Sequence, residues 1–84
     1  MPDLSSTHNN LVPEVVRNIT KTMVGAGGTS GDLMVAAESI VLGILLINEK
    51  LFGAQRPATI EALNEMSLRI EERLAAHSAG GEHG

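Results

Sequence analysis

The chain has 84 residues and a formal net charge of −4, from 10 acidic and 6 basic side chains. It is 43% hydrophobic, yet Phe52 is its one aromatic residue, and it contains no cysteine. This length corresponds to one domain, and the lack of cysteine excludes disulfide bridges and thiolate metal sites. The acidic balance and the near absence of aromatic rings argue against nucleic-acid binding, which uses basic patches and stacking platforms.

The first predicted element is a helix over residues 10–24. Apolar side chains recur there every four residues, which places them on one helix face: Leu11, Val15, Ile19 and Met23. The many β-branched residues are also compatible with a strand, but the four-residue spacing favours a helix. Asn10 is the expected N-cap, and Pro13 then falls in the first turn, where its missing N–H is not needed.

A run of glycines separates this helix from the next. Gly25 is predicted to end the first helix in the left-handed conformation. Thr29 is the expected N-cap of the second helix, with Asp32 placed to complete a capping box. The second helix is predicted over residues 31–52, and Gly53 marks its end.

The third helix is predicted over residues 57–77, with Pro57 in its first turn. Five positions on it have the alternating three- and four-residue spacing of a left-handed helix pair: Ile60, Leu63, Ser67, Ile70 and Leu74. The sequence thus predicts an all-α fold, a three-helix bundle in a single domain over residues 10–77. Residues 1–9 and 78–84 are small or polar and are expected to be disordered tails.

The second predicted helix is apolar on both sides. The face opposite Ile40 is also mostly apolar, and its members form the predicted interface: Met34, Glu38, Leu42, Leu45, Leu46 and Phe52. A helix that is apolar all round must be covered all round. We therefore expect association into a dimeric helical bundle, a homodimer. A monomeric bundle, in which the other two helices cover this face, and an obligate complex with a different protein remain open.

The glycine-rich loop before the second helix has the chemistry of an anion site, because free N–H groups at a helix N-terminus attract phosphate. The candidate residues are Gly27, Gly28, Thr29 and Ser30. No lysine follows the glycines, and their spacing departs from the dinucleotide-binding fingerprint. A hinge followed by an ordinary N-cap is the simpler interpretation. Binding of phosphate or another small ligand in loop 25–32 is kept as the alternative function.

No catalytic or metal-binding constellation is present. Ser30 and Ser39 have no histidine nearby in the sequence to act as a base. His8, His77 and His83 lie close to the two ends of the chain and lack ligand spacing. We therefore predict a protein that is not an enzyme and that uses no metal and no cofactor. The arginines of the third helix are balanced by glutamates, so no nucleic-acid partner is expected either.

The most apolar segment, residues 33–47, is 15 residues long and contains Glu38. A membrane-spanning helix needs about 20 apolar residues and rarely carries a carboxylate near its centre. A secretory signal requires basic side chains near its start, and the first ten residues contain none. We expect a cytoplasmic protein without a membrane partner. Glu38 is expected to face solvent or pair with Arg17 or Lys21, or else to fix the register of a dimer.

Together these patterns predict a small, non-enzymatic helical protein that acts through protein–protein association, as a homodimeric interaction or regulatory module.

Overall fold

The computed structural model describes residues 4–81, with side chains described through residue 77. Three helices contain almost all of these residues, and none of the described residues lies in a strand: α1 (Leu4–Gly25), α2 (Ser30–Phe52) and α3 (Arg56–Gly81). The fold is therefore all-α with three helices, as the sequence predicts.

The outer ends of α1 and α3 extend beyond their predicted bounds. α1 begins at Leu4 rather than near Asn10, and α3 continues to Gly81 rather than ending near His77. Residues 4–9 and 78–81, expected in tails, are therefore helical, while residues 1–3 and 82–84 lie outside the described part. The physical reason is that adding residues to an existing helix costs far less than starting one.

Pro13 lies inside α1 and not in its first turn, because the helix starts earlier than predicted. Proline has no N–H, so the carbonyl of Asn9, four residues earlier, receives no helical hydrogen bond from it. The sequence was interpreted with Asn10 as the N-cap, and that prediction is wrong. The backbone hydrogen-bond ladder of α1 therefore lacks one bond at this position.

α1 ends in a hydrogen-bonded turn at Gly27, whose φ is 85°. The Gly27 N–H donates to the Val24 carbonyl at 3.0 Å, and the Gly28 N–H donates to the Met23 carbonyl at 2.7 Å. These two bonds form a Schellman motif, which satisfies the last carbonyls of a helix. The prediction that Gly25 would be the left-handed residue is corrected, since α1 includes Gly25 and the turn comes two residues later.

The second turn agrees with the sequence. α2 ends at Phe52, and Gly53 follows with a φ of 68° and an N–H that donates to the Glu49 carbonyl at 2.9 Å. α3 then begins at Arg56, so Pro57 is its second residue. Its missing N–H has no helical partner to lose at that position.

The chain divides into two compact units, Met1–Gly43 and Ile44–Gly84. The first contains α1 and the beginning of α2, and its half-buried apolar side chains include Ile19, Met23, Leu33 and Ala36. The second contains the end of α2 with α3, and its half-buried apolar side chains are Leu45, Ala54 and Met66.

Within residues 4–77 neither unit contains a buried apolar side chain. Among the described side chains only Thr59 is buried, with 9% of its surface exposed. The described apolar side chains that would normally form a core are therefore exposed or half-buried.

Candidate functional site

A charged pair joins α2 to α3 within the second unit. The Arg56 Nε lies 2.8 Å from Glu49 Oε2, and the Arg56 Nη2 lies 3.0 Å from Glu49 Oε1. The guanidinium therefore holds both carboxylate oxygens in the two-pronged geometry typical of strong arginine pairs. The Glu49 side chain is 15% exposed. Sequence reasoning missed this pair, although opposite charges on the two sides of the Gly53 turn could have indicated it.

The pair shifts the acidity of both groups. The hydrogen bond from Arg56, and next the one from the Thr59 hydroxyl, lower the pKa of Glu49 to about 2. Glu49 in turn raises the pKa of Arg56 above its usual value. The single proton of the Thr59 hydroxyl is shared with the Gln55 carbonyl, which lies 3.3 Å from the hydroxyl oxygen. Because these groups satisfy one another, the cluster stabilises the turn and offers no free base or nucleophile.

The predicted capping box forms at the start of α2. The Thr29 N–H donates to Asp32 Oδ2 at 2.8 Å, and the Thr29 hydroxyl donates to the same oxygen at 3.1 Å. The Asp32 N–H returns a bond to Thr29 Oγ1 at 3.3 Å. The backbone hydrogen bond, and then the hydroxyl bond, lower the pKa of Asp32. The box satisfies two N–H groups that a helix start otherwise leaves open.

These bonds also occupy much of the candidate anion loop. The N–H groups of Gly27, Gly28 and Thr29 all donate within the chain, and Ser30 is the first residue of α2. The Asp32 carboxylate adds a negative charge where a phosphate would sit. Phosphate binding in this loop stays a prediction, and an anion there would have to displace Asp32 first.

The predicted interface residues all lie on α2, and five of the six are exposed: Met34, Glu38, Leu42, Leu46 and Phe52. Leu45 is half-buried within the second unit. Among the described residues, Glu38 forms no ion pair with Arg17 or Lys21. The face that the sequence marked for association is thus mostly open in the single chain.

Part of this face is an exposed row that the sequence analysis only half identified. It comprises four positions of α2, called here the α2 row: Val35, Ser39, Leu42 and Leu46. Their spacing of four, three and four residues is that of a helix-pairing stripe. Val35 lies on the predicted apolar face opposite Ile40, but neither Val35 nor Ser39 was among the predicted interface residues. Their exposure is seen in the structure, where the neighbouring positions Ala36 and Leu45 are half-buried.

On α3 the covered positions differ from the predicted stripe. Thr59 is buried and Met66 is half-buried, whereas Ile60 and Leu74 are exposed. Thr59 lies beside the ion pair across the turn, where it helps to lower the pKa of Glu49, and its hydroxyl donates to the Gln55 carbonyl. A polar residue therefore takes a position that an apolar pattern assigns to a leucine or isoleucine.

The first unit has one shallow depression of about 300 Å³, lined by Asn18, Ile19, Thr22, Met23 and Ala36. None of these side chains titrates, so the depression offers no acid, base or metal ligand. Within the described residues no three histidine or acidic side chains come together as a metal site.

α2 is long and apolar enough to cross a membrane, by length and composition alone. The core helix of a soluble protein passes the same test. α2 also contains Glu38, and a carboxylate within the hydrocarbon region is costly. This helix is therefore the feature of the molecule that most needs a covering surface.

The chain matches no protein-family model, no curated protein and no solved structure. Its function is therefore inferred from the geometry of its own residues.

Proposed function

We propose that this protein acts through self-association, as a small non-enzymatic interaction or regulatory module whose α2 helix is covered by a second copy. The observation that carries the proposal is that α2 is apolar around its circumference and none of its residues is buried in the single chain. Each large apolar side chain left in water forgoes about 1.5–3 kcal/mol. Several such side chains amount to a typical total stability of about 5–15 kcal/mol.

The exposed side chains of α2 support the same proposal. On α2, Leu42, Leu46 and Phe52 are 56%, 47% and 79% exposed. A standard interface buries about 800 Å² on each partner, and obligate homodimers bury more. A second copy covers these side chains in such an interface. Packing of the helices into a bundle belongs to the same proposal, since the dimer would supply the missing core.

The oligomeric state tests this directly. We expect light scattering during size-exclusion chromatography to give twice the chain mass of 8.8 kDa at micromolar concentration. Leu42→Lys places a charge on α2 at a side chain that is 56% exposed, so it should yield a helical monomer or an unfolded chain. Leu68→Lys is the matched control, because Leu68 is an equally exposed leucine on α3.

The result that would contradict self-association is a native protein that is monomeric at micromolar concentration and fully helical by circular dichroism. Equal loss of dimer in Leu42→Lys and Leu68→Lys would also contradict it, since the effect would then not belong to α2.

The proposal keeps the protein in the cytoplasm, as the sequence predicts, because Glu38 opposes insertion of α2 into a bilayer. We expect the purified chain to stay in the supernatant when it is sedimented with phosphatidylcholine vesicles. Sedimentation with the vesicles that resists alkaline carbonate would assign α2 to a membrane and replace the dimer.

A further inference from the structure

We infer that the two copies meet through an antiparallel pair of α2 helices, in contact along the α2 row. This inference rests on the proposed self-association and specifies its surface and orientation. The occupant of the row is thus a second copy of the same helix, running in the opposite direction.

The row is the side of α2 that its own chain leaves open. Val35 is 61% exposed, Leu42 56% and Leu46 47%, while Ala36 in the first unit and Leu45 in the second are half-buried. Side chains spaced by four, three and four residues form a continuous strip that a second helix can follow. A second exposed strip has the same spacing: Ile40, Ile44, Ile47 and Leu51. Its midpoint lies five residues further along α2, so Asp32 and Lys50 are placed almost symmetrically about the α2 row and not about this strip.

Side-chain sizes favour the antiparallel direction. The row is spaced identically in both directions, so a two-fold axis between Ile40 and Val41 makes it self-complementary. Ser39 of one copy then lies opposite Leu42 of the other, a small side chain against a large one, as interdigitating packing requires. In a parallel pair in register, Leu42 would meet Leu42 and Ser39 would meet Ser39.

The charges near the two ends of α2 also favour an antiparallel pair. Asp32 and Lys50 are 18 residues apart, which is five full turns, so they lie on the same side of α2 at opposite ends of the row. In the antiparallel pair each Lys50 faces Asp32 of the second copy. In a parallel pair in register, Asp32 of the two copies would lie on opposite sides of the seam, and neither would meet a Lys50. Opposed helix dipoles add to the preference.

A stable dimer needs an interface of about 800 Å² on each partner. The α2 row and the side chains beside it supply the centre of such an interface, with Asp32 and Lys50 as its polar rim.

Cysteine cross-linking tests the inference, since the chain contains no cysteine of its own. Val35→Cys and Leu46→Cys are purified separately, mixed, refolded together and oxidised with diamide. A disulfide needs Cα atoms within about 7 Å. In the antiparallel pair, position 35 of one chain meets position 46 of the other, so we expect a covalent dimer containing both variants, several-fold above either variant alone.

Each variant alone is a control for direction. In the antiparallel pair, two cysteines at position 35 lie about 16 Å apart along the helix axis and cannot form a disulfide. Efficient cross-linking of Val35→Cys by itself would show a parallel pair and overturn the inference. Ile47→Cys lies on the other strip, so efficient cross-linking of that variant alone would move the interface there and overturn it as well.

Light scattering of the same samples before oxidation separates this inference from the proposed function. A dimer in which Val35→Cys and Leu46→Cys fail to link overturns the α2 row and leaves self-association standing. A helical monomer overturns both. The helicity of each cysteine variant is compared with that of the native chain by circular dichroism. In the antiparallel pair the two Ser39 positions lie about 4.5 Å apart along the helix axis, so Ser39→Cys by itself is expected to form a disulfide near the two-fold axis.

Discussion

At the scale of single residues, Glu49 and Arg56 connect two helices through one ion pair. Both oxygens of the carboxylate are bound, and Thr59 adds a further hydrogen bond. Exposed ion pairs contribute little as a rule, but this carboxylate is largely covered and its partner holds it in a two-pronged geometry. The pair therefore ties the end of α2 to the start of α3.

Glu49→Gln should lower the melting temperature by a few degrees at neutral pH. The folded-state pKa of about 2 lies below the ordinary value of 4.5, so the stabilisation is present above pH 4.5 and is lost as the pH falls towards 2. We therefore expect the difference between native protein and variant to shrink over that window, measured as melting temperature against pH.

Glu72→Gln is the matched control for this prediction, because Glu72 is an exposed glutamate on α3. It should leave the melting temperature almost unchanged at neutral pH. A Glu49→Gln deficit that is as large at pH 2 as at pH 7 would show that the carboxylate charge is not what stabilises the turn.

At the scale of elements, each connection depends on short-range backbone chemistry. The first connection places Gly28 so close to α1 that a Cβ there would lie 2.6 Å from the Met23 carbonyl oxygen. Gly25, by contrast, lies within α1, and a Cβ there meets nothing within 4 Å. A side chain at position 28 would therefore clash with the backbone, whereas position 25 has room for one.

Gly28→Ala should reduce the free energy of unfolding by about 1 kcal/mol or more, because the added methyl group must displace a backbone carbonyl. Gly25→Ala should raise it by about 0.5–1 kcal/mol, since alanine is the better helix former. Urea denaturation of both variants measures the difference. Equal effects of the two substitutions would contradict the observed turn.

At the scale of the whole molecule, no apolar side chain of the described residues is buried, so the proposed self-association would couple stability to association. If folding and dimer formation are coupled, stability depends on protein concentration by mass action. A chain whose large apolar side chains stay exposed has few other sources of stability.

We expect the melting temperature of the native protein to rise steadily between about 1 and 100 µM, since dilution favours the dissociated chain. Leu68→Lys should keep that dependence, and Leu42→Lys should remove it. A melting temperature that is independent of concentration, together with a cooperative transition, would show that the single chain is stable by itself.

Much of the fold could be predicted from local patterns. The three helices, the Thr29–Asp32 capping box and the stop at Gly53 were predicted correctly, because each depends on contacts within about five residues along the chain. The outer ends of α1 and α3 were not, because weakly polar stretches without a strong stop signal extend an existing helix. The left-handed residue also moved from Gly25 to Gly27, since several glycines in succession can each end a helix.

The sequence by itself determined the number and order of the helices, the apolar character of α2 on all its sides and the exclusion of disulfide and thiolate chemistry. These follow from composition and from the spacing of side chains along one helix. The tertiary structure alone decided that Glu49 meets Arg56, that Thr59 rather than Ile60 is covered, and that Val35 and Ser39 join Leu42 and Leu46 in an open row. The physical reason is that cover depends on which element approaches through space, and the spacing of residues along the chain does not contain that information.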